Sequence, residues 1–287
     1  MLSQKLRSFQ ASIIDILLKA FFKYCLPMYS LREILDKVAK NEISPSEAEK
    51  LLKLLAIDEV GCLAKLDCNR ELRKGIPEIV LAEGKTASDV AEISRRMLAK
   101  NGRVIVSRCA KEHVQAIKET FSSDVVLEVN DKARMVVVKT KAFVISPSGG
   151  RMGILTAGTS DIPVAEEAKI IAQEMGCAVF STYDVGVAGI HRLIEPLKEV
   201  LSNDVDVIVV VAGREGALAS VVSGLVDVPV IAVPTSNSYG FGEKGVCTLM
   251  AMLQSCSLGL AVVNIDGGVA AGAVATLIAN RAAKFRR

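Results

Sequence analysis

The residues best suited to binding or catalysis form a short turn between an apolar run, Ile154–Leu155, and the start of a helix marked by Pro163. The turn residues are Gly158, Thr159, Ser160 and Asp161. Small and hydroxyl residues at the start of a helix leave backbone N–H groups free to face an anion, and the helix dipole adds to the attraction. The same residues also suit an ordinary helix cap, with Ser160 or Asp161 as the N-cap residue. The turn therefore predicts either an anion site or a capped helix.

Further polar or glycine-rich segments follow apolar runs later in the chain. They are Tyr183–Gly189, Ala212–Ala217, Pro234–Gly240 and Asn264–Gly268. Uninterrupted apolar runs are typical of parallel strands that are buried on both faces. The carboxyl ends of such strands meet at one edge of the sheet, where α/β proteins bind their ligands. We therefore expect a phosphate- and sugar-binding site there; the alternative is that these glycines only end helices. Four residues in or beside these segments are further candidates: Asp184, His191, Glu215 and Asp266.

Strand and helix patterns alternate regularly after Pro147–Gly150, where we place a domain boundary. Predicted strands are Ile154–Thr156, Ala178–Ser181, Val205–Val211, Val230–Val233 and Leu260–Ile265. Predicted helices begin at Pro163, span Ile190–Leu201, follow Glu215, span Val246–Ser255 and begin again at Val269. The very apolar run from 246 to 263 is interpreted as a buried helix followed by a buried strand. Residues 151–287 are thus predicted to form a three-layer α/β domain around a parallel sheet.

Residues 28–150 mix strands and helices without regular alternation. Apolar spacing predicts a first helix from Ser30, and Ser44 starts a second one that runs to Leu55. A strand is predicted at Arg103–Val106 and a helix at Lys111–Thr120. Two further strands, Val125–Val129 and Met135–Val138, form a predicted hairpin. We expect a smaller mixed α/β domain here.

Residues 1–27 form an N-terminal extension with apolar residues on one helical face between Ile13 and Met28. Three interpretations stay open: a helix on the protein's own surface, a membrane-surface helix, or a start codon placed too early. Charged residues at Asp15, Lys19 and Lys23 argue against a signal peptide or a membrane span. We do not expect the protein to bind a membrane.

Composition narrows the classes of function. The formal net charge is only +3, and basic residues are interleaved with acidic ones, so a nucleic-acid partner is not expected. The seven cysteines are scattered without metal-site spacing, which favours reduced thiols in the cytoplasm. With two histidines, His113 and His191, a histidine-based metal site is disfavoured.

Several longer segments resemble the LarB family of nickel-pincer cofactor biosynthesis, and the resemblance runs from about Met28 to the end. They are GTSDIPVAEEA (Gly158–Ala168), YDVGVAGIHRL (Tyr183–Leu193), AGREGALASVVSGLVDVPVIAVPTS (Ala212–Ser236) and LQSCSLGLAVVNIDGG (Leu253–Gly268). LDCNRELRKGIPEIVLAEGKT (Leu66–Thr86) resembles the family's N-terminal signature. The family's C-terminal half is similar to N5-carboxyaminoimidazole ribonucleotide mutase, which implies a flavodoxin-like parallel sheet.

The resemblance implies an enzyme that carboxylates the pyridinium ring of nicotinic acid adenine dinucleotide with CO2. The enzyme also cleaves the phosphoanhydride, so that the products are pyridinium-3,5-biscarboxylate mononucleotide and AMP. A pyridinium C5 is electron-poor, but addition of a thiolate at C4 converts the ring to an enamine whose C5 is nucleophilic. Two alternatives remain: a mutase or carboxylase of purine synthesis, and a nucleotide-binding module without catalysis.

The same resemblance suggests roles for particular residues. Cys256 aligns with the family's nucleophile. Without the resemblance, a cysteine at this position would be interpreted as a buried, unreactive side chain. Cys247 is interpreted as structural. Thr159, Ser160 and Asp161 are expected to hold ribose and phosphate. Three residues of the N-terminal domain are candidate phosphate or carboxylate contacts, although solvated surface charges are the alternative: Arg70, Arg73 and Lys85.

Other roles stay open at this point. Glu215 departs from the histidine-proline-glycine loop of the purine mutase. It is a candidate catalytic residue, expected to bind the ribose, a metal or the catalytic water, or else only to favour a helix N-terminus. His191 is a candidate for proton transfer or an ordinary capping histidine, and Asp184 and Asp266 are candidate substrate contacts. Mg2+ is a candidate cofactor, and no metal ligands are assigned.

The uncharged segment Gly267–Ala279 lacks the polar face expected of a terminal helix on a monomer. Either a second chain covers it, or the N-terminal domain does. The resemblance favours the first alternative, because the related families form octamers. We therefore expect a homo-octamer in which this segment is occluded.

Overall fold

The computed structural model describes residues 31–52, 58–60, 64–66, 70–121 and 124–286. They fall in two compact units, the first ending at residue 56 and the second starting at residue 57. The first unit contains α1 (Leu31–Ala39) and α2 (Pro45–Leu52). The start of α2 is fixed by a reciprocal cap: Ser44 N–H donates to the Glu47 carboxylate, and Glu47 N–H donates to the Ser44 hydroxyl. The predictions for residues 1–27 and 53–55 lie outside the described residues.

The second unit begins with a mixed α/β region. Its elements are β1 (Asp58–Val60), β2 (Ala64–Leu66), α3 (Arg70–Lys74), β3 (Ile79–Leu81), α4 (Ala87–Asn101), β4 (Arg103–Ser107), α5 (Lys111–Thr120), β5 (Val125–Asn130) and β6 (Met135–Thr140). β1 and β2 pair antiparallel, and the other strands form a sheet in the order β3-β4-β6-β5. Only the β3–β4 pair of that sheet is parallel. The mixed sheet, the helix Lys111–Thr120 and the hairpin are confirmed.

A regular strand–helix alternation follows residue 150. Its elements are β7 (Arg151–Thr156), α6 (Ile162–Glu174), β8 (Ala178–Thr182), α7 (His191–Ser202), β9 (Val207–Ala212), α8 (Ala217–Ser223), β10 (Val230–Pro234), α9 (Val246–Leu253), β11 (Leu260–Val262) and α10 (Gly268–Ala283). All five strands are parallel, in the order β11-β10-β9-β7-β8. This is the flavodoxin-type order: β8 is added on one side of β7, and the later strands are added on the other side, beginning with β9.

Two apolar clusters cover the two faces of this parallel sheet. On one face, Ile154 and Val209 belong to the cluster that includes alanines of α6 and α10. On the other, Leu155 and Val210 belong to the cluster with α7, α8 and α9. Alternate residues of the same strands thus point to opposite layers. The predicted three-layer α/β fold is confirmed.

Helices α6 and α10 pack with their backbones in close contact. A Cβ on Gly272 would lie 2.6 Å from the carbonyl oxygen of Ala168 and 2.8 Å from its Cα. The other side of α10 meets the mixed sheet, where Ala273 packs in one cluster with Ile105 and Met135. The chain's own mixed region therefore covers part of this helix, while Val274 and Leu277 stay 42% and 38% exposed. Occlusion of the remaining face by another chain stays a prediction.

The apolar run from 246 to 263 differs from its prediction. The helix ends at Leu253 rather than Ser255, and it buries Thr248 and Met252 while Met250 and Leu253 are more than half exposed. The following strand, β11, is at the edge of the sheet and pairs only with β10, so α9 has little of the sheet to pack against. Within the described residues, no helix has both the length and the apolar character needed to cross a membrane.

Replacing Gly272 with Ala tests the α6–α10 contact. Helix propensity alone would favour Ala by about 1 kcal/mol. The new Cβ would overlap the backbone of Ala168, so we expect Gly272→Ala to lower the free energy of unfolding by about 1–3 kcal/mol. Urea denaturation measures it, with Val274→Ala on the exposed face of α10 as the control, expected to change by less than about 1 kcal/mol. A stabilised Gly272→Ala protein would contradict the close packing.

Candidate functional site

A cavity of about 390 Å3 opens at the carboxyl ends of β7 and β9, where the strand order reverses. The loops that follow β7, β8, β9 and β10 line it. Four of the five segments predicted to converge therefore do so. The fifth, Asn264–Gly268, contributes no residue to this cavity, although its Asp266 lines a neighbouring one. The place and the volume both suit a small-molecule ligand.

The carboxylate of Asp161 holds two of these loops together. It is 3% exposed and accepts hydrogen bonds from the backbone N–H of Gly158, at 3.0 Å, and from the hydroxyl of Thr235, at 2.7 Å. Asp161 precedes α6, but its side chain makes no capping hydrogen bond to that helix. Helix capping by Asp161 is therefore not observed. The carboxylate instead fixes the β7 loop against the end of β10.

Two glycines allow the loops to approach one another. A Cβ on Gly213, in the β9 loop, would lie 2.8 Å from the Thr235 hydroxyl and 3.3 Å from the Asp161 carboxylate. A Cβ on Gly186, in the β8 loop, would lie 2.5 Å from the carbonyl oxygen of Ala157. Larger residues at these positions would push the loops apart and change the shape of the cavity.

Two arginines lie in the cavity wall, together with the carboxylates of Asp161 and Glu215. Arg192 lines the cavity and forms an ion pair with Asp184 at 2.8 Å, which fixes the direction of its guanidinium group. Arg214 lines the wall beside Glu215 and lies 4.1 Å from the ring centroid of Tyr239. Guanidinium groups bind phosphate and carboxylate groups well, whereas a carboxylate such as Glu215 accepts hydrogen bonds from ribose hydroxyls. The wall therefore suits an anionic sugar-containing ligand.

Several predicted site residues do line this cavity, and others do not. Gly158, Ser160, Asp161 and Glu215 are in the wall, and Asp184 reaches it through Arg192. Thr159 and His191 are exposed and are not wall residues. Four wall residues were not predicted as site residues, although they lie in segments that had been singled out: Arg192, Arg214, Asn237 and Tyr239.

The three basic candidates of the mixed region are not in the cavity wall. The Arg70 guanidinium pairs with Glu78 at 2.8 Å. Arg70 and Arg73 belong to α3, whose Glu71 pairs with Arg103 beside Glu174. Glu174 ends α6, so α3 lies towards the sheet edge opposite the cavity. Lys85 donates a hydrogen bond from its ammonium group to the carbonyl of Leu81, at 2.7 Å.

The described cysteines differ sharply in environment. Burial raises the pKa of the Cys109 thiol to about 11 and that of Cys177 to about 12, so both stay protonated at neutral pH. Cys247 and Cys256 are exposed. Cys247 lies in the first turn of α9 and donates a hydrogen bond to the carbonyl of Phe241.

Cys256 follows the end of α9 and lies at the opposite edge of the sheet from the cavity. The eight residues of α9 span about 12 Å, from the carboxyl edge of the sheet towards its amino edge. Its neighbours agree with this position. The Ser257 hydroxyl donates to the carbonyl of Ser220, in the middle of α8, and the Gly259 carbonyl accepts a hydrogen bond from Val230 N–H, at the start of β10. The thiol and the cavity of one chain are therefore separated by the depth of the sheet.

No group of three or more potential metal-ligating side chains occurs in the ranges that the structure describes. Of the two carboxylates in the cavity wall, that of Glu215 is exposed. That of Asp161 is buried and accepts hydrogen bonds from Gly158 N–H and the Thr235 hydroxyl. The role of Mg2+ stays a prediction.

Removing the Asp161 carboxylate should leave Gly158 N–H and the Thr235 hydroxyl without their acceptor. We expect Asp161→Ala to lower the free energy of unfolding by about 1–3 kcal/mol, and Thr235→Val by about 1 kcal/mol. Because the two side chains share one hydrogen bond, the effects should be non-additive in the double variant. Urea denaturation of the set measures this coupling, and strictly additive losses would contradict it. Ser160→Ala, on an exposed residue of the wall, is the control.

Two family models match consecutive parts of the chain. The LarB/PurE-like N-terminal domain matches residues 57–141, and the AIR carboxylase domain matches residues 151–286. Two N5-carboxyaminoimidazole ribonucleotide mutases are similar over part of the chain. The Thermotoga maritima enzyme is 28% identical, covering 36% of this chain and 60% of its own, and the Pyrococcus horikoshii enzyme is 29% identical, covering 44% and 71%.

A match over nearly the full length comes from an archaeal protein. An uncharacterized protein of Methanocaldococcus jannaschii is 43% identical over 254 residues, which cover 87% of this chain and 97% of that protein. The two domains, in this order and on this fold, indicate a nucleotide-processing enzyme of the carboxylase or mutase type. The chain belongs to the LarB family, with an N-terminal LarB/PurE-like domain and a C-terminal AIR carboxylase domain.

Proposed function

We propose that this protein carboxylates C5 of the pyridinium ring of nicotinic acid adenine dinucleotide and hydrolyses its phosphoanhydride. The products are pyridinium-3,5-biscarboxylate mononucleotide and AMP, the first step towards a nickel-pincer cofactor. The observation that carries the proposal is the composition of the cavity: two arginines and Glu215 line it, with no histidine in its wall. A purine mutase uses a histidine-proline-glycine loop, and Gly213–Arg214–Glu215 takes that place here.

The ring chemistry balances with a cysteine thiolate as the covalent catalyst. The sulfur adds to C4, and the displaced ring electron pair moves to the pyridinium nitrogen. The resulting enamine forms a C5–C bond to CO2. Loss of the C5 proton to a base and cleavage of the C4–S bond then restore the aromatic ring and the thiolate. Separately, water attacks a phosphorus of the anhydride and AMP leaves.

The thiol in this proposal comes from a second copy of the chain. Cys256 is exposed but lies at the sheet edge opposite its own cavity. Around it the surface is apolar, with Leu253 65% exposed and Leu258 91% exposed. Such a surface is typical of a protein–protein contact. A homo-oligomer, with an octamer as the expected form, brings the Cys256 of one subunit to the cavity of another.

A purine mutase is the second candidate, because the C-terminal domain is similar to two such enzymes. Incubation with labelled bicarbonate distinguishes the candidates. Label in a pyridinium product formed from the dinucleotide supports the proposal, and label transferred only to an aminoimidazole ribotide supports the mutase. Binding of the dinucleotide without turnover would instead favour a non-catalytic module.

Replacing Cys256 by Ser should reduce labelled pyridinium product to background, because a hydroxyl is a much weaker nucleophile than a thiolate at neutral pH. Cys247→Ser is the matched control, since this thiol is also exposed and lies closer to the cavity loops. Its activity should stay within about two-fold of wild type. Intact-protein mass spectrometry should place the ring adduct on the Cys256 peptide. Full carboxylation by Cys256→Ser would exclude the covalent step.

Mixing two variants, each of which we expect to be inactive on its own, tests whether the site is shared. Cys256→Ser subunits keep the cavity, and Glu215→Gln subunits keep the thiol. After joint refolding in equal amounts, random assembly should return about a quarter of wild-type activity. Half of the subunits carry an intact thiol and the other half an intact cavity, and an active site needs one of each. Each variant refolded alone is the control. Light scattering that gives a monomer mass, together with no recovery of activity, would exclude a shared site.

A further inference from the structure

A second cavity, of about 310 Å3, adjoins the first one. The two share Ser160 and Asn237, and the Asn237 amide donates a hydrogen bond to the carbonyl of Ser160, at 2.6 Å. The far side of the second cavity belongs to the mixed region, which contributes the loop after β4 and the β5–β6 turn. A ligand that passes this shared wall would therefore contact both regions of the second unit.

Three basic residues of the mixed region line this second cavity: Arg108, Lys132 and Arg134. Arg108 pairs with Glu83 at 3.0 Å. Lys132 and Arg134 form no ion pair with a carboxylate in the described part of the chain. The guanidinium of Arg134 donates instead to the carbonyls of Cys109, at 3.1 Å, and Arg108, at 3.4 Å. Neither basic group is thus held in an ion pair, although the carboxyl groups of Glu167 and Asp266 lie in the same wall.

Backbone strain is concentrated around the same cavity. Arg108, Arg134 and Asp266 have φ angles of 54°, 52° and 53°, in the left-handed region that non-glycine residues seldom adopt. Such conformations are unfavourable for residues other than glycine and persist where the surroundings enforce them. Here Cys109 N–H donates to the Arg134 carbonyl at 2.7 Å, which locks the two loops together. Arg108 and Arg134 are therefore held in place before any ligand binds.

The carboxylates of the cavity oppose these charges only in part. The Asp266 carboxylate accepts a hydrogen bond from Ser236 N–H, at 2.8 Å. Burial raises the pKa of Glu167 to about 7, although Arg108 lowers it, so this carboxyl group is partly protonated at neutral pH. The cavity thus keeps positive charge available for an anion.

We infer that the second cavity binds the phosphate group of the AMP half of the substrate, while the first cavity holds the pyridinium half. This inference rests on the proposed function, because only a dinucleotide supplies two phosphate-bearing halves. The scissile anhydride then lies at the wall formed by Ser160 and Asn237. Lys132 is the specificity residue for the AMP half.

Calorimetric titration with AMP and with nicotinic acid mononucleotide tests the inference. Lys132 is exposed, so its replacement by Gln should leave the fold unchanged. In Lys132→Gln the AMP affinity should fall about ten-fold through loss of a charge-assisted contact, whereas the mononucleotide affinity should change less than about two-fold. Lys118→Gln, on an exposed residue of α5 outside the cavity, is the control and should leave both affinities unchanged. Inorganic phosphate, titrated separately, shows whether the site needs the nucleoside.

Wild-type AMP affinity in Lys132→Gln, an equal loss for the mononucleotide, or absence of AMP binding to the wild-type protein would each overturn the inference. Tighter binding of phosphate alone than of AMP would do the same, because it would assign the cavity to free phosphate. These titrations need no turnover. Failure of the proposed function is seen separately, as absence of labelled pyridinium product from the wild-type enzyme.

Discussion

The buried carboxylate of Asp161 determines how the loops at the carboxyl edge of the parallel sheet are arranged. A carboxylate removed from water is costly unless hydrogen bonds replace its hydration. Asp161 finds those bonds in Gly158 N–H and the Thr235 hydroxyl, so the β7 loop and the end of β10 are fixed to each other. Gly213 lets the β9 loop pack against the same pair. These two hydrogen bonds therefore hold loops of the cavity wall together, and the side chains of Ser160 and Arg214 take no part in them.

The fold could be predicted from the sequence to the extent that it depends on local patterns. Apolar runs such as Val207–Ala212 are buried along their whole length, and the loops between them carry the glycines and hydroxyls that were singled out. Element ends were less predictable, since Leu253 ends its helix two residues early where the edge strand β11 gives little cover. The contact of Arg103 with Glu174 joins residues 71 positions apart, and no local pattern indicates such a pair.

The site was predictable as a set of loops but not as a set of side chains. Arg192 lies one residue after His191, yet the helical turn directs Arg192 to the cavity wall and leaves the histidine exposed. The second cavity depends on Arg108 and Arg134, which lie in tight turns of a different sheet. Neither residue belongs to a recognisable motif. Their importance follows from long-range packing, which brings the mixed region against the parallel domain.

The separation of Cys256 from the cavity links the assembly of this protein to its proposed chemistry. In a parallel α/β domain, each helix returns the chain to the amino edge of the sheet, so a residue that follows a helix cannot face its own ligand loops. Cys256 follows α9 in this way, and the exposed Leu253 and Leu258 beside it supply apolar area for a contact between copies. A thiol delivered by a second subunit would meet the pyridinium ring only in the assembled enzyme. An isolated chain would then bind the dinucleotide without activating its ring, so the proposed carboxylation would depend on assembly.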